Sequence, residues 1–316
     1  ELVLATGGIV GIAATQLRSG RHIGHHEDEL FPTASVIKLP LLVTLYEDAE
    51  AGRIDLAERV VYRQDTRVAG SGVLQYLDDG LAPTLRDLAV LMMTVSDNTA
   101  TDLLLDRVTK RRVEETMSRY GLGSIKIPFD VREMLMELVD LDHRQPGGYD
   151  ELRRLLRLSA GSGGRSMIPG QADRATPADL CRLLELIETR AILGESGCDA
   201  ILELMKRIQT GTRIPGLLPK GTVVAHKTGS YRRMRKHIGI AYAQTRPDAL
   251  AAREQRLRRR RLPLTPAPGH WGRRPGGDRR RQTAGEPTLP GRTGGPSVLP
   301  RGGPPQPGAR PRSRRR

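Results

Sequence analysis

Three short stretches of this 316-residue chain carry hydroxyls and amines that could perform acyl transfer. Ser35 and Lys38 lie three residues apart in a nearly all-apolar segment, residues 35–51, which predicts a buried helix with both side chains on one face. A buried lysine loses much of its preference for the charged form, so it can take the proton of a neighbouring serine. The helix N-terminus adds partial positive charge where an oxyanion would form. The pair therefore predicts a nucleophilic serine with an amine as its base.

Two further stretches carry a second hydroxyl and a second amine. Ser-Asp-Asn at 96–98 begins a predicted helix, and Lys-Thr-Gly at 227–229 ends a predicted strand and precedes Ser230. A strand edge presents backbone N–H groups to a substrate, and glycine permits its close approach. Each stretch alone is also typical of structure without catalysis, namely a helix cap, a surface lysine or a turn. Together and in this order, the stretches at 35–38, 96–98 and 227–229, called here the first, second and third motifs, predict one active site.

The elements that must position these groups follow a simple order within residues 1–245. Strand patterns occur near both ends and helical patterns fill the middle, with Thr84 and Thr176 as predicted N-caps. This order predicts the α+β class, with a mostly antiparallel sheet packed with helices and joined to a helical subdomain. Strands are predicted at 8–18, 21–27, 222–227 and 238–243. Further helices are predicted at 85–95, 98–108, 112–120, 132–139, 150–158, 178–189 and 199–208.

The net charge of +15 belongs to the C-terminal part of the chain rather than to the part that carries the motifs. Residues 246–316 contain 19 arginines and 4 acidic residues, whereas basic and acidic residues are equal in number in residues 1–245. The body therefore gives no reason to expect a nucleic acid or an anionic membrane as its partner. Arg, Pro and Gly make up 43 of the 71 C-terminal residues. Such a composition buries too little apolar surface to fold, so a disordered tail is predicted.

Cysteine content and hydropathy exclude several other classes of protein. Cys181 and Cys198 are too few for a disulfide-rich scaffold or a four-cysteine zinc site, and two free thiols are expected, with a single bridge between them as the alternative. No apolar run approaches the ~18 residues of a membrane span. Residues 2–15 lack the basic segment of a signal peptide and are interpreted as a strand, so no signal peptide is expected. No cofactor and no metal site are predicted.

Four segments carry a family resemblance. They are residues 31–40 (Phe-Pro-Thr-Ala-Ser-Val-Ile-Lys-Leu-Pro), 70–75 (Gly-Ser-Gly-Val-Leu-Gln), 95–100 (Val-Ser-Asp-Asn-Thr-Ala) and 225–230 (Ala-His-Lys-Thr-Gly-Ser). These segments closely resemble the class A β-lactamase group of active-site serine, penicillin-recognising enzymes. The resemblance covers about residues 7–245 and implies a β-lactamase/transpeptidase-like fold. It also implies a site in the crevice between the sheet and the helical subdomain.

The resemblance implies a catalytic role for four side chains. Ser35 would be the nucleophile that forms an acyl-enzyme, and Lys38 would help to accept its proton. Ser96 would pass a proton to the departing ring nitrogen, with Lys227 nearby. The backbone N–H groups of Ser35 and Ser230 would form the oxyanion hole.

Substrate binding is likewise implied by the resemblance. Asn98 would hold the substrate and the network around the first lysine, and Asp97 would fix the loop. Thr228 and Ser230 would bind the substrate carboxylate. Arg235, near the start of the following strand, would supply the charge partner, with a solvated arginine as the alternative interpretation. The implied substrate-binding residues are Asn98, Thr228, Gly229, Ser230 and Arg235.

One departure from the family concerns hydrolysis of the acyl-enzyme. Class A enzymes use a water held by a glutamate in an E-x-x-L-N loop, and this chain has no such sequence. By spacing, residues 159–165 take the place of that loop. Glu137 and Glu151, the nearest acids upstream, fall in helical patterns and are interpreted as solvated. We therefore hypothesise slow deacylation, in a weak β-lactamase or in an enzyme closer to D-Ala-D-Ala peptidases.

A second departure follows residue 245. The family continues with a strand inside the sheet and a long C-terminal helix, whereas this sequence changes to Arg, Pro and Gly. Both elements are predicted to be missing from a catalytic domain of residues 1–245, with 249–262 at most a basic helix. A reading-frame slip near residues 245–250 is the favoured explanation of residues 246–316. A genuine basic arm that binds nucleic acid or anionic surfaces is the alternative.

The function that these inferences favour is a serine hydrolase that opens β-lactam amides through an acyl-enzyme on Ser35. The alternatives are a D-Ala-D-Ala peptidase or esterase, an inactive homologue, and a nucleic-acid-binding protein acting through its tail. A monomer is expected, with a β-lactam or a D-Ala-D-Ala-type peptide as its ligand and no specific nucleic acid. The resemblance implies a periplasmic or secreted location and a role in antibiotic resistance.

Overall fold

The computed structural model describes residues 8–142, 148–158, 172–210, 213–231, 234–243 and 246–256. These residues form the α+β architecture that the sequence predicts, an antiparallel sheet packed with helices. All of them belong to one compact unit, residues 1–261. Residues 257–316 of the predicted disordered tail, the family's C-terminal helix and residues 159–165 lie outside the described residues, whereas residues 246–256 form a strand, so the prediction of disorder is wrong for them.

The described residues include seven strands: β1 (Ile9–Gln16), β2 (Arg21–His25), β3 (Phe31–Pro32), β4 (Arg174–Ala175), β5 (Val223–Tyr231), β6 (Met234–Ala243) and β7 (Arg246–Arg256). Five of them form the main sheet in the order β2-β1-β7-β6-β5, in which every pair of neighbours is antiparallel. The remaining two, β3 and β4, pair with each other. The four strands predicted from the sequence correspond to β1, β2, β5 and β6, and β5 forms one edge of the sheet.

Eight α-helices occur in the part of the chain that the structure describes: α1 (Lys38–Glu50), α2 (Leu85–Thr94), α3 (Asn98–Val108), α4 (Lys110–Arg119), α5 (Val131–Leu138), α6 (Tyr149–Leu158), α7 (Pro177–Glu188) and α8 (Glu195–Lys206). They confirm the predicted helices, with shifted ends. Both predicted N-caps are also confirmed. Thr84 Oγ1 accepts the Asp87 N–H in a capping box, and Thr176 Oγ1 accepts the Asp179 N–H.

Helix α1 lies at the centre of the core and is buried on every face, as its composition predicts. Leu39, Leu42, Val43 and Leu45 are completely buried. Each fully buried aliphatic side chain contributes about 1.5–3 kcal/mol, so this helix anchors the domain. Pro40 lies in the first turn, where an α-helix needs no hydrogen bond from the backbone nitrogen. The segment that carries the first motif is therefore rigidly held.

A second, smaller apolar cluster joins α5 and α6 to the loops around the start of α1. Leu135 of α5 and Leu152 of α6 belong to it, together with Ala34, Val68 and Ala69. Ala34 directly precedes Ser35, so helix packing reaches the residue next to the expected nucleophile. This cluster, which also contains Met234 of β6, therefore supports the turn that carries Ser35.

Strand β7 corrects the expectation that the last strand of the sheet is missing. Residues 246–256 pair with β6, and residues 252–256 also pair with β1. The physical reason is backbone hydrogen bonding, because β1 and β6 would otherwise each leave a row of N–H and C=O groups unpaired inside the sheet. Ladder pairing uses the backbone, so it does not require the apolar alternation that this segment lacks. The alternative of a basic helix from residue 249 is wrong up to residue 256.

Across the described ranges, no helix combines the length and the apolar character that crossing a membrane requires.

Truncation tests the importance of β7. A chain ending at residue 245 should lose cooperative thermal unfolding, because the sheet loses the strand that joins β1 to β6 and the net stability of a domain is only about 5–15 kcal/mol. A chain ending at residue 261 retains the compact unit and is the matched control. Circular dichroism melting curves compare the two chains. Equal melting temperatures would contradict a central position for β7.

Candidate active site

Ser35 lies in a single 3₁₀ turn, Ala34–Ile37, that leads into α1 at Lys38. The α-helix therefore begins three residues later than predicted. The Lys38 side chain is buried, whereas Ser35 is partly exposed. Within the described residues, no hydrogen bond joins the Lys38 amine to Ser35. Proton transfer between them therefore requires either a small rearrangement or a relay through a third group.

The Lys38 amine is surrounded by oxygen acceptors of the second motif. Its Nζ donates to Ser96 O at 2.7 Å, to Ser96 Oγ at 3.1 Å and to Asn98 Oδ1 at 2.9 Å. Burial lowers the pKa of Lys38 to about 7, although the carboxylates of Asp97 and Asp102 oppose this shift. A large fraction of this amine is therefore neutral near pH 7 and able to accept a proton.

A second amine, that of Lys227 on β5, reaches the same hydroxyl. Its Nζ donates to Ser96 Oγ at 3.1 Å and to Thr228 O at 2.9 Å, and the side chain is completely buried. Burial lowers the pKa of Lys227 well below the ordinary lysine value, and the charge of Lys38 lowers it further. The structure thus brings one residue from each of the three motifs together around a single oxygen atom.

Asp97 holds the turn that presents the Ser96 hydroxyl. Its Oδ2 accepts the N–H groups of Val73 at 2.6 Å and Leu74 at 2.9 Å, and its Oδ1 accepts that of Ala100 at 3.0 Å. The carboxylate is completely buried. Ser96 adopts a left-handed conformation with φ of +57°, which non-glycine residues rarely adopt. The three N–H contacts of Asp97 compensate for this unfavourable backbone by fixing both sides of the turn.

Ser71 is a contact residue that the motifs did not predict. Its Oγ donates to Ser96 O at 2.6 Å and lies 3.2 Å from Asn98 Oδ1. The following glycine makes this approach possible, since a Cβ on Gly72 would lie 2.2 Å from Asp97 Cγ. The Gly-Ser-Gly run at 70–72 was the available signal, because glycines around a hydroxyl allow two segments to approach closely.

The face of β5 that carries Lys227 and Gly229 lies against residues 33–35, called here the nucleophile segment because Ser35 is the expected nucleophile. A Cβ on Gly229 would lie 2.8 Å from Thr33 O and 3.3 Å from the Ser35 backbone nitrogen. Any side chain at this position would therefore force the strand and the 3₁₀ turn apart. Glycine is needed here for close approach, as the third motif predicts.

The opposite face of β5 carries Thr228 and Ser230, because successive side chains of a strand alternate. Thr228 Oγ1 lies 3.4 Å from Thr210 Oγ1, and Arg213 Nη2 donates to Ser230 Oγ at 2.5 Å. Burial and the nearby charge of Arg235 lower the pKa of the Arg213 guanidinium. Two hydroxyls beside a guanidinium form a set of donors that suits a carboxylate.

Arg213 is therefore a candidate site residue that the sequence did not reveal. It contacts Ser230 and also donates from Nη1 to Lys236 O at 2.9 Å. Arg235, the expected charge partner, lies opposite Ser230 in the β5–β6 ladder, and its Nη1 donates to Met234 O at 2.9 Å. The segment that contains Arg213 has no helical or strand periodicity, so its sequence gave no reason to place it at the site.

Glu137 and Glu151, the two acids upstream of residues 159–165, differ in their burial. Glu151 on α6 is exposed and forms an ion pair with Arg154 at 2.7 Å, as expected for a solvated helix residue. Glu137 on α5 is only 6% exposed, so its interpretation as a solvated residue is wrong. The reason is that α5 packs against two neighbouring elements and not one, which buries more of the helix than its amphipathic pattern suggests.

Other reactive groups lie apart from this arrangement. Cys181 and Cys198 are free and buried, as expected, and burial raises the pKa of Cys181 to about 11, which disfavours the reactive thiolate. Within the described ranges, His, Cys, Asp and Glu side chains form no group of three or more that could hold a metal ion.

This fold, together with the order and convergence of the three motifs, defines the class of β-lactamase/transpeptidase-like proteins. Residues 1–259 match the β-lactamase enzyme family, Beta-lactamase2. The chain belongs to this family, which confirms the resemblance inferred from the four segments.

Individual relatives of the chain differ in their roles. The β-lactamase regulatory protein BlaB of Streptomyces cacaoi is 25% identical over 256 residues, which cover 75% of this chain and 81% of BlaB. A β-lactamase of Sphaerobacter thermophilus DSM 20745 is 28% identical with a TM-score of 0.65, over 81% of this chain and 86% of its own. The L158E mutant of PBP-A, solved as an acyl-enzyme complex with penicillin G, is 26% identical with a TM-score of 0.67. The match covers 81% of this chain and 84% of the PBP-A chain.

Gly229 provides a test of the contact between β5 and the nucleophile segment. Gly229→Ala should slow labelling of Ser35 by a penicillin roughly 10²-fold, because misplacing a reacting group by about 1 Å can cost that much. Gly123→Ala is the matched control, since no atom lies within 4 Å of the added methyl group. Fluorescent-penicillin labelling rates measure the effect. Unchanged labelling of a folded Gly229→Ala protein would contradict the close approach.

Proposed function

We propose that the protein is a serine enzyme that opens β-lactam amide bonds through an acyl-enzyme on Ser35 and releases the product slowly. The convergence of two buried amines on the Ser96 hydroxyl carries this proposal. Membership of the β-lactamase enzyme family supports it, as does the relative PBP-A, whose L158E mutant forms an acyl-enzyme with penicillin G.

In the acylation step, Ser35 Oγ forms a bond with the carbonyl carbon of the β-lactam. Its proton passes to the neutral Lys38 amine, directly or through Ser96 Oγ, which lies 3.1 Å from that amine. The backbone N–H groups of Ser35 and Ser230 hold the oxyanion of the tetrahedral intermediate. The ring C–N bond then breaks while Ser96 gives its proton to the leaving nitrogen. The proton on Lys38 returns to Ser96, so both groups regain their starting states.

Lys227 has a supporting role in this scheme. Its hydrogen bond to Ser96 Oγ stabilises the oxygen while that oxygen exchanges its proton. The substrate carboxylate is bound by Thr228 and Ser230, with Arg213 as the cation that holds Ser230. Asn98 holds the Lys38 amine through Oδ1, and its Nδ2 donates one N–H to Ala69 O at 2.9 Å, so the second amide N–H is the group assigned to the substrate. These assignments give Lys227, Thr228 and Asn98 separate tasks.

Slow release follows from what the sequence lacks. Hydrolysis of the ester needs a base that activates water, and the chain has no E-x-x-L-N glutamate to supply it. A D-Ala-D-Ala peptidase or esterase therefore remains an alternative activity of the same site. The 25% identity with a β-lactamase regulatory protein favours a second candidate function, a penicillin receptor that stays acylated and signals.

Mass spectrometry of the intact protein tests the proposed nucleophile and the lifetime of its ester. Incubation with penicillin G should add one penicillin mass on Ser35, and Ser35→Ala should abolish it. Ser19→Ala, at an exposed surface serine, is the control. The adduct should persist for minutes after removal of free penicillin. A half-life of seconds would refute slow deacylation, and absence of any adduct would refute the nucleophile.

The pH dependence of acylation tests the role of Lys38. The amine must be neutral to accept the proton, so the labelling rate should rise with pH through about 7 and then level off. Lys38→Arg should remove activity throughout this range, because arginine stays charged. Lys206→Arg, on the surface of α8, is the control for the same exchange. A pH-independent rate in the wild-type protein would contradict a titrating amine.

A further inference from the structure

Two buried histidines connect strands β5 and β6 next to Thr228. His226 is 5% exposed and His237 is 2% exposed, and His237 Nε2 lies 2.9 Å from His226 Nδ1. In the ladder, His237 is opposite Thr228, so the two histidines are diagonal neighbours on the face of the sheet that carries Thr228 and Ser230. None of the steps proposed above uses either ring.

The hydrogen bonds determine which nitrogen of each ring carries the proton. The Ile214 N–H donates to His237 Nδ1 at 3.2 Å, so this nitrogen has no proton. His237 therefore carries its proton on Nε2 and donates it to His226 Nδ1. Burial lowers the pKa of His226 to about 4 and that of His237 to about 3, so both rings are neutral around pH 7. The chain of donors thus runs in one direction, from Ile214 through His237 to His226.

The loop that contains Arg213 and Ile214 is hydrogen-bonded to β6 through both of these consecutive residues. Arg213 Nη1 donates to Lys236 O at 2.9 Å, and the next residue, Ile214, donates to His237. The second guanidinium nitrogen of Arg213 is then 2.5 Å from Ser230 Oγ. The position of the guanidinium therefore depends on a loop backbone that an imidazole ring holds against the sheet.

We propose that His237, oriented by His226, is a positioning residue that holds Arg213 in place for recognition of the substrate carboxylate. The inference rests on the proposed function, because it assigns the carboxylate-binding part of that site. The His237 ring is suited to holding the loop, since its Nδ1 accepts the Ile214 N–H and its Nε2 donates to His226. The hydrogen bond from Nε2 to His226 fixes the orientation of the His237 ring, so that Nδ1 faces the backbone N–H of Ile214.

Substituting His237 by either of two amide residues of similar polarity distinguishes the roles of its two hydrogen bonds. The Oδ1 of His237→Asn can replace Nδ1 as the acceptor for the Ile214 N–H, whereas the longer His237→Gln reaches towards His226 and lacks an acceptor beside Ile214. With penicillin G, His237→Gln should raise the concentration for half-maximal labelling of Ser35 about tenfold, the effect of one hydrogen bond. The maximal labelling rate should stay unchanged, and His237→Asn should restore most of the affinity.

Penicillin G methyl ester identifies the part of the substrate that is affected. The ester has no free carboxylate, so His237→Gln should leave its labelling unchanged. In the Arg213→Ala background, His237→Gln should have no further effect on penicillin G, because its influence passes through the guanidinium. Additive effects of the two substitutions, or an equal loss for the ester, would overturn the positioning role. Melting temperatures of all variants establish that they are folded.

Hydrogen exchange gives a readout that does not depend on activity. The Ile214 amide should exchange faster in His237→Gln than in His237→Asn, since only the latter retains an acceptor for it. Equal exchange rates would overturn the inference even if penicillin labels Ser35. Absence of labelling in the wild-type protein would instead refute the proposed function, while the exchange rates would still decide whether His237 holds the loop.

Discussion

Two ammonium groups cannot both remain charged at hydrogen-bonding distance from one buried oxygen, and the site is built around this constraint. Lys38 and Lys227 each donate to Ser96 Oγ at 3.1 Å, and both side chains are buried. Loss of water removes the screening that would let like charges coexist. A proton on one amine therefore makes a proton on the other harder to hold. An amine that keeps its proton up to a pH of about 10 in water thus has a pKa of about 7 at Lys38, and the pKa of Lys227 is also well below its ordinary value.

Helix α3 carries the carboxylates that favour the charged form of Lys38. Asp97, its N-cap, is one carboxylate that favours the charged form of Lys38, and Asp102, one turn further along, is the other. Asp102 also accepts the N–H groups of Val131 and Arg132 at 2.8 and 2.9 Å, at the start of α5. Loss of hydration raises the pKa of Asp102, and these two backbone donors oppose that shift. One helix thus connects the amine to the second apolar cluster.

The sequence predicted the parts of the site whose chemistry is local, and the parts that depend on strand register could not be predicted from it. Ser35, Lys38 and residues 96–98 lie at helix starts that the pattern identifies. Residues 227–229 lie in a strand, as predicted, but β5 continues beyond them to Tyr231. Arg213 and His237 acquire their roles only because β5, β6 and an irregular loop meet in a particular register. Strand β7 was missed because backbone pairing with β1 and β6 leaves no mark in the side-chain pattern.

Backbone strain beside the reacting groups shows why a stable core is needed for this site. Ala34 has φ of +48° and Ser96 has φ of +57°, and such conformations cost non-glycine residues ~1–3 kcal/mol each. Glycine would remove the cost, but position 96 needs its hydroxyl, and the Ala34 methyl group packs in the cluster that contains Val68 and Leu135. The packing that α5 and α6 contribute therefore helps to keep the nucleophile turn in its strained form. Substitutions in that cluster can consequently alter the reactivity of Ser35 without touching any reacting atom.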